Sequence, residues 1–472
     1  MNYQDKRIAV IGLGVSNTPL IRYLANEGAK VTVFDKKNAV ELEKYLLQLR
    51  DIDFEYRLGE DYLSYLHGKN YHGVGIIHGN NSEELSEAQG FEIIFVTPGM
   101  KKDLPEFHQA KAEGAGFSSE MELFLSKVPG KTIGITGSSG KTTTTTLIGQ
   151  MIAKDFPDSF MGGNIGKSLL DELPRMNQNS RIVLELSSFQ LQELKQSPQL
   201  SVITNITPNH LDMHASMQEY IDAKNNILAY QTFSDIAVLN YDNELTRNLS
   251  ATVKGKLYYF SRLSPLDEGA FLDGNELILK LNGQKEVISS REKLKLLGDH
   301  NVENILTAAL VARLTGVGLA TITNIAESFA GVEHRLELVR ELKGVKYYND
   351  SISTTPDRAI AGLKAMTQPT WLIVGGYDKH LPFDRLATEM IKKCKHLLVL
   401  GVTAPQIITE VRKLDPDFPM THVSSIEESV SIASKKAEAG EVVLLSPACA
   451  SYDMFNNYQE RGKLFKDLVE KL

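Results

Sequence analysis

A glycine-rich segment near residue 140 constrains this chain more than any other feature. Residues 131–136 read Lys-Thr-Ile-Gly-Ile-Thr, and a threonine-rich helical stretch begins directly after the glycines. A buried strand, a glycine loop and a helix in this order predict an α/β fold built on a parallel sheet. Small residues let backbone N–H groups surround phosphate oxygens, while a lysine reaches the transferred phosphate and a threonine hydroxyl can hold Mg²⁺. We therefore expect a nucleotide phosphate site formed by Gly137, Ser138, Ser139, Gly140, Lys141, Thr142 and Thr143.

A second glycine turn, near the N-terminus, gives a weaker signal. The segment Gly12-Leu-Gly14-Val-Ser-Asn17 follows an apolar run and precedes a helical stretch, and Asp35 closes the next strand. Two glycines and a later acid are typical of a nucleotide-binding βαβ unit. Asn17 stands where the third glycine of an NAD fingerprint belongs, which argues against NAD. A tight structural turn with a surface acid is the alternative.

Composition and charge restrict the partners. The 472 residues include 51 Lys and Arg against 59 Asp and Glu, which gives a net charge of −8. A dedicated nucleic-acid or anionic-membrane binder would need a basic excess, so we expect neither partner. Two cysteines cannot build a disulfide framework and suit a reducing compartment. No apolar run approaches the ~18 residues of a membrane span. We therefore expect a cytoplasmic enzyme.

The order of strand-like and helix-like stretches predicts three αβ segments, at residues 1–120, 121–331 and 332–472. In the central segment, Asn282-Gly283 between alternating stretches indicates a hairpin, and we predict an antiparallel flap at residues 256–290. Residues 68–90 lack periodicity and are expected to form an exposed loop or an irregular strand pair. The third segment should contain strands at residues 345–348, 371–374, 396–400 and 442–445.

Three polar residues of the central segment stand out from their surroundings. Glu185 interrupts an apolar strand, where a carboxylate needs a cation or a metal ion, and we favour Mg²⁺. His210 follows the strand at 200–206, at the end where ligands collect, although a structural histidine is the commoner case. Lys224 occupies a core-facing position between Tyr220 and Leu228 on a predicted helix. It is either a stem with a solvated ammonium group or a lysine that meets an anion, loses its charge or is modified.

Short motifs are spread over nearly the whole chain. They are residues 134–143, Gly163-Asn164-Ile-Gly166, residues 184–190, Asn209-His210-Leu-Asp212, Ala223-Lys224, His300-Asn301-Val-Glu-Asn304, His334-Arg335 and Asn349-Asp350-Ser351. In this order they resemble the Mur ligase family. The resemblance implies a Rossmann-like N-terminal domain that binds a UDP-linked substrate, a central P-loop ATPase domain with an antiparallel flap, and a Rossmann-like C-terminal domain that binds the acceptor amino acid.

The C-terminal segment Leu-Ser446-Pro-Ala-Cys-Ala-Ser451-Tyr-Asp453 is similar, more narrowly, to the family member that adds D-glutamate. This resemblance implies an ATP-dependent ligase of peptidoglycan precursor synthesis. It would join D-glutamate to UDP-N-acetylmuramoyl-L-alanine through an acyl phosphate, with ATP and two Mg²⁺ ions. We expect a monomer.

The resemblance also implies roles for individual residues. Lys141, Lys224 and His210 would be catalytic, with Lys224 carbamylated. The Mg²⁺ ligands would be Thr142, Glu185, His210 and Lys224, and further nucleotide contacts would come from Asn301, Asn304, Arg335 and Asp350. Val15, Ser16, Asp35 and Lys36 would surround the UDP group, Asn164, Ser187 and Gln190 would face the muramoyl-alanine part, and Thr354, Lys379, Ser451, Tyr452 and Tyr458 would bind the acceptor.

Three alternatives stay open. Ile352 stands where a lysine often follows Asp-Ser, which removes one contact to the acceptor and leaves the D- or L-form of glutamate undecided. Another ligase of the same scaffold, such as a folylpolyglutamate synthetase, should lack the segment at 446–451. A nucleotide-dependent switch would hydrolyse ATP slowly without an amino-acid acceptor. A dehydrogenase is disfavoured by Asn17.

Overall fold

Three sheets, each flanked by helices, organise the chain. The computed structural model describes residues 2–67, 75–77, 90–101, 103–165, 168–208, 213–296, 298–379 and 381–472. The chain divides into two compact units, Met1–Phe329 and Ala330–Leu472. The division into three domains at residues 120 and 331 stays a prediction. Within the described residues, no helix combines the length and the apolar character that a membrane span requires.

The first sheet has the order β4-β3-β2-β1-β5-β6, and only β3 and β4 pair antiparallel. Side chains of its central strand alternate between two buried apolar clusters, with Ile8 and Val10 in one and Ala9 and Ile11 in the other. Burial of both faces is typical of a parallel sheet covered by helices on each side. Its elements are β1 (Arg7–Ile11), α1 (Asn17–Asn26), β2 (Lys30–Asp35), α2 (Ala39–Gln48), β3 (Phe54–Leu58), β4 (Gly75–Ile77), β5 (Ile93–Val96), α3 (Pro105–Ala112), β6 (Gly116–Ser118) and α4 (Glu120–Lys127).

The region at 68–90, predicted as a loop or irregular strand pair, lies mostly outside the described residues, and residues 75–77 form β4. The first sheet and the central sheet share one apolar cluster. Leu169 and Leu170 of the central part belong to the same cluster as Leu20 and Ile21 of α1. This shared burial explains why both sheets fall in one compact unit.

The central sheet has nine strands in the order β15-β14-β13-β12-β11-β10-β7-β9-β8. The strand β7 that precedes the glycine loop lies between β10 and β9, with both neighbours parallel. Its elements are β7 (Lys131–Thr136), α5 (Lys141–Asp155), β8 (Ser159–Gly163), β9 (Arg181–Glu185), α6 (Ser188–Leu191), β10 (Leu200–Ile203), α7 (Met217–Ala229), β11 (Ile236–Asn240), α8 (Glu244–Asn248), β12 (Lys256–Ser261), β13 (Gly269–Asp273), β14 (Glu276–Leu281), β15 (Gln284–Ser290), α9 (Asp299–Leu314) and α10 (Leu319–Ser328).

The flap predicted at 256–290 is antiparallel only in its second half. Strand β12 pairs in parallel with β11 and with β13, so residues 256–273 extend the central sheet. The antiparallel pairs are β13 with β14 and β14 with β15. The predicted hairpin turn is confirmed, since Asn282 and Gly283 both have positive φ, at 52° and 79°. Two consecutive left-handed residues form the turn type that fits the twist of a two-residue hairpin.

The third sheet lies in the second unit and has the order β16-β17-β21-β18-β19-β20. Its four predicted strands are confirmed as β17, β18, β19 and β21, and the sheet adds an antiparallel edge strand, β16, and a short parallel one, β20. Its elements are β16 (Glu337–Leu342), β17 (Val345–Asn349), α11 (Pro356–Ala365), β18 (Thr370–Gly375), α12 (Asp384–Lys393), β19 (Cys394–Leu400), α13 (Ala404–Leu414), β20 (Met420–His422), α14 (Ile426–Lys436), β21 (Val442–Leu445) and α15 (Tyr458–Glu470).

Candidate active site

The glycine loop between β7 and α5 adopts a backbone that requires its glycines. Gly137 has φ +150° and Gly140 has φ +78°, both in the region that L side chains rarely adopt. A Cβ at Gly137 would lie 1.9 Å from Oγ1 of Thr204, and one at Gly140 would lie 2.4 Å from Oδ1 of Asn304. The loop is therefore packed tightly against β10 and α9.

Residues 204–207, which follow β10, hold the glycine loop in place through hydrogen bonds. The backbone N–H of Ser138 donates to the carbonyl of Asn205 at 2.8 Å, and that of Ser139 donates to Oδ1 of Asn205 at 3.0 Å. Ser138 Oγ accepts from the N–H of Thr207 at 2.9 Å. Because these two loop amides are engaged, the N–H groups aimed at a phosphate come from the first turn of α5, where a helix has no internal acceptors for them.

Lys141, Thr142 and Thr143 form that first helical turn. The Lys141 Nζ group donates to the carbonyl oxygen of Gly137 at 2.7 Å and to that of Ser138 at 3.4 Å. The ammonium group thus lies against the glycine loop, where it could also contact a phosphate bound by that loop. This geometry suits a site for a polyphosphate.

Glu185 ends β9 beside the loop and is only 2% exposed. Its Oε1 accepts from Nδ2 of Asn164 at 2.8 Å, whereas its Oε2 is buried without a hydrogen-bond partner. A buried carboxylate oxygen without a partner costs free energy that a cation would recover. The donor set therefore fits Mg²⁺, which prefers oxygen ligands.

Lys224 on α7 is 1% exposed, so the alternative of a solvated ammonium group is wrong. Its Nζ donates to the carbonyl of Gly137 at 2.9 Å and lies 4.6 Å from the ring centroid of Tyr220. Burial, and to a smaller extent the charge of Lys141, lower the pKa of Lys224 to about 6, while Glu185 opposes the shift. The lysine predicted to face the core is thus brought to the start of the glycine loop.

Two aromatic residues near this centre carry no predicted role. The Tyr220 hydroxyl lies 3.0 Å from Ser138 Oγ, and the buried His214 ring packs edge-on against Tyr220 at 5.2 Å between centroids. Nε2 of His214 lies 3.0 Å from Ser188 Oγ. Tyr220 shares the apolar spacing of α7, but nothing in the spacing singles out its hydroxyl.

The residues predicted to face the muramoyl-alanine part follow β8 and β9. Asn164 bonds Glu185, as described above. Ser187 and Gln190 bond each other in a capping box that starts α6: the Ser187 N–H donates to Gln190 Oε1 at 3.0 Å, and Ser187 Oγ accepts from the Gln190 N–H at 3.3 Å. His210, the remaining predicted metal ligand, lies outside the described residues.

The predicted nucleotide residues fall in two places. Asn304 on α9 accepts from Thr144 Oγ1 at 3.2 Å and donates to Asn301 Oδ1 at 3.0 Å, so both asparagines stand beside α5. In the second unit, Asp350 accepts from the hydroxyls of Ser353 and Ser446, and burial raises its pKa to about 6. Arg335 is exposed and lies close enough to Asp350 to lower that pKa.

The N-terminal glycine turn is tied to the end of β2. Asp35 Oδ2 accepts from the N–H of Leu13 at 2.7 Å, and its Oδ1 accepts from the N–H of Lys37 at 2.9 Å. Asn17 donates from Nδ2 to the carbonyls of residues 11 and 12, which explains an asparagine where an NAD fingerprint has glycine. Of the other predicted UDP contacts, Val15 is exposed, Ser16 precedes α1, and Lys36 pairs with Glu60 at 3.0 Å.

The residues predicted to bind the acceptor gather where β17, β18 and β21 end. Lys379 donates to the carbonyl of Thr354 at 3.4 Å, and the carbonyl of Tyr458 accepts from the Ser351 hydroxyl at 2.8 Å. Ser451 is buried, while Tyr452 is exposed and packs edge-on against Tyr377. These three strands are parallel neighbours, and open α/β sheets bind ligands outside the carboxyl ends of such strands.

A buried arginine, missed from the sequence, fixes this edge. Arg461 is 1% exposed and donates to the carbonyls of Ser351, Cys449 and Ala450 and to the Ser351 hydroxyl. Burial lowers its pKa to about 10. Its place on the apolar face of α15, with Phe465 and Val469, is the same signal that singled out Lys224. Cys449 is a packed thiol that is 2% exposed, and its burial raises its pKa to about 11.

Comparison with known proteins assigns the chain to a family. Residues 135–312 match the Mur ligase middle domain, and residues 334–449 match the family described as Mur ligase, glutamate ligase domain. The chain is 43% identical to the UDP-N-acetylmuramoylalanine--D-glutamate ligase of Acetivibrio thermocellus, over 99% of this chain and 97% of the relative. The protein of the same name from Clostridium kluyveri is 44% identical with the same coverage.

A solved structure supports the fold alone. The UDP-N-acetylmuramate-alanine ligase MurC from Thermotoga maritima aligns with a TM-score of 0.54 and 19% identity, covering 98% of this chain and 99% of that one. The predicted fold class is thereby confirmed. With two matched domains and relatives above 40% identity over almost its whole length, the chain belongs to the Mur ligase family, the ATP-dependent ligases that form amide bonds in peptidoglycan synthesis.

Proposed function

We propose that this chain joins D-glutamate to UDP-N-acetylmuramoyl-L-alanine, with cleavage of ATP to ADP and phosphate. The observation that carries the proposal is the likeness, over nearly the whole chain, to relatives named for this reaction. We place the reaction in the cytoplasm, where ATP and UDP-linked sugars are made, and assign it to a monomer without nucleic-acid or membrane partners.

The glycine loop and the first turn of α5 would hold the ATP phosphates. Lys141 would contact the transferred phosphate, and the neighbouring asparagines Asn301 and Asn304 would contact the nucleotide together with Arg335 and Asp350. The first step forms a bond between the alanine carboxylate and the γ-phosphorus, and ADP leaves. Fixed positive charge at the loop favours this step because negative charge develops on the transferred phosphoryl group.

Thr142, Glu185, His210 and a modified Lys224 would hold two Mg²⁺ ions. The unpartnered Oε2 of Glu185 supports this assignment. Bound Mg²⁺ supplies positive charge that neutralises the phosphates and the developing transition state.

Lys224 would act as a carbamate. The residue is buried, its Nζ bonds the carbonyl of Gly137, and it lies near Lys141, so an ammonium group there would repel a further cation. Addition of CO₂ to the neutral amine forms an N–C bond and releases one proton, and it turns the lysine into an anion. Its lowered pKa supports this chemistry, because only the neutral amine can add CO₂.

The acceptor residues of the second unit would orient D-glutamate. Its amine attacks the acyl phosphate carbonyl, a tetrahedral intermediate forms, phosphate leaves and the nitrogen loses a proton. Val15, Ser16, Asp35 and Lys36 would hold the UDP group, while Asn164, Ser187 and Gln190 would position the muramoyl-alanine part.

An ADP-release assay across amino acids tests the proposal. We expect ADP to form over many turnovers only when ATP, UDP-N-acetylmuramoyl-L-alanine and D-glutamate are all present, because without D-glutamate the acyl phosphate is not consumed. A requirement for L-glutamate, or for a different acyl substrate, would indicate another ligase of the same scaffold. ADP formation that ignores both the acyl substrate and the amino acid would indicate a nucleotide-dependent switch.

Lys379→Ala should raise the KM for D-glutamate about 10- to 100-fold, because a charge-assisted contact contributes about 1.5–3 kcal/mol. The KM for UDP-N-acetylmuramoyl-L-alanine should change little. The matched control is Lys364→Ala, which removes an exposed lysine of the same unit that pairs with Glu389. Equal increases in both KM values would contradict a role in acceptor binding.

A further inference from the structure

Two cations at the acceptor edge of the second unit, Lys379 and Arg358, donate to backbone carbonyls. Lys379, Arg358 and Arg461 lie close enough for both arginines to influence the ammonium group of Lys379. Burial lowers the pKa of Lys379 most, and Arg358 and Arg461 lower it further. Among the described residues, no carboxylate lies within ion-pair distance of Lys379 or Arg358, whose hydrogen bonds go to the carbonyls of Thr354 and Ile352. Two neighbouring cations without an ion-pair partner favour an anionic ligand.

Arg358 occupies an unfavourable place for a structural cation. It is the third residue of α11, where the helix macrodipole favours anions and disfavours arginine. Its Nη1 donates to the carbonyl of Ile352 at 3.3 Å, so the side chain folds back from the helix over the turn after β17. The neighbouring Asp357 is directed elsewhere and pairs with Arg385 at 3.2 Å.

A ligand with two carboxylates needs two cations with free donors, and Arg461 is not one of them. Arg461 is buried, and its guanidinium is committed to three backbone carbonyls and one hydroxyl. Ile352 offers no charge. Arg358 is exposed at the same edge, and it also influences Tyr458: burial raises the pKa of that phenol, and Arg358 opposes the shift. Within the described part of the second unit, Lys379 and Arg358 are thus neighbouring cations that have no carboxylate partner, whereas Arg335 lies near Asp350.

We propose that Arg358 binds one carboxylate of the acceptor amino acid, while Lys379 binds the other. The inference rests on the proposed function, since D-glutamate supplies the two carboxylates. It makes Arg358 a specificity-determining residue for a dicarboxylic acceptor. A planar guanidinium can engage a carboxylate with two parallel N–H bonds, which a lysine cannot.

Steady-state kinetics of the full chain test this assignment. Arg358→Ala should raise the KM for D-glutamate at least about tenfold, as expected for loss of a charged hydrogen-bond donor. The KM values for ATP and UDP-N-acetylmuramoyl-L-alanine should stay within about twofold of those of the unaltered protein. Arg358→Lys keeps the charge but not the two parallel N–H bonds, so it should recover part of the loss. Arg385→Ala, which removes an exposed arginine of the same unit, should leave all three KM values unchanged.

The outcomes separate this inference from the proposed function. A D-glutamate KM in Arg358→Ala no higher than in Arg385→Ala would overturn the inference alone, as would a rise confined to ATP or shared equally by all substrates. Failure of Arg358→Lys to improve on Arg358→Ala would overturn the role of charge. Absence of D-glutamate-dependent turnover in the unaltered protein would overturn both the proposed function and the inference.

Discussion

Lys141→Ala should lower the rate of ATP-dependent ligation at least about a thousandfold, since it removes the cation that we propose contacts the transferred phosphoryl group. The folded state should lose about 1–2 kcal/mol, because the hydrogen bonds from the ammonium group to the carbonyls of Gly137 and Ser138 each contribute a net ~0.5–1.5 kcal/mol. Single-turnover formation of the amide product measures the first effect, and thermal unfolding measures the second.

Lys154→Ala is the matched control for this variant. It removes an exposed lysine from the last turn of the same helix, which lies ~20 Å from Lys141 along the helix axis at a rise of ~1.5 Å per residue. Its turnover should equal that of the unaltered protein. Turnover of Lys141→Ala within a few-fold of normal would show that the loop does not serve the transferred phosphate.

Lys224→Ala should lose at least about 100-fold in turnover, and small carboxylates should restore part of it. The truncation leaves a space beside Gly137 and Tyr220 that formate or acetate can fill, returning the anion that a carbamate would supply. Chloride at equal ionic strength should have no such effect. Turnover against carboxylate concentration measures the rescue.

Lys224→Met is the control for this rescue, because its side chain fills most of the space of the lysine stem but cannot become an anion. It should be as inactive as Lys224→Ala but insensitive to formate. Full activity of Lys224→Ala, or an experimental map showing an unmodified ammonium group bound to a protein carboxylate in an ATP-bound state, would rule out the carbamate.

Helical spacing predicted the burial of Lys224 but was not sufficient to find every buried cation. On α7 the lysine stands between Tyr220 and Leu228 on the apolar face, and the structure buries all three. Arg461 stands on the corresponding face of α15, yet no motif drew attention to it. The carbonyls that accept from its guanidinium lie in two turns. One turn, at Ser351, is 110 residues earlier in the chain, and the other, at Cys449, is 12 residues earlier. Helical spacing alone does not reveal such partners.

Strand direction was the weakest part of the fold prediction. Alternation in residues 256–273 indicates which side chains face the core. It does not indicate which strand lies next to them, or whether that strand runs parallel or antiparallel. The structure places β12 beside β11 in parallel. By contrast, the Asn282-Gly283 turn fixes its own hairpin locally, because both residues accept positive φ.

The end of β2 shows a similar limit at the predicted UDP site. The position of Asp35 suggests a ligand contact, yet its two oxygens accept from the backbone N–H groups of Leu13 and Lys37. Such bonds shape the glycine turn and can only be seen once the strands are placed. The role of Asp35 toward UDP stays a prediction.

The most direct test of the account follows the oxygen atoms of the substrate. UDP-N-acetylmuramoyl-L-alanine labelled with ¹⁸O in both oxygens of its alanine carboxylate is incubated with ATP, D-glutamate and the protein, and the released phosphate is analysed by mass spectrometry. Activation of the carboxylate by phosphoryl transfer predicts one ¹⁸O atom in each phosphate and the other in the new amide. Unlabelled phosphate, or phosphate release that does not depend on D-glutamate, would contradict the proposed reaction.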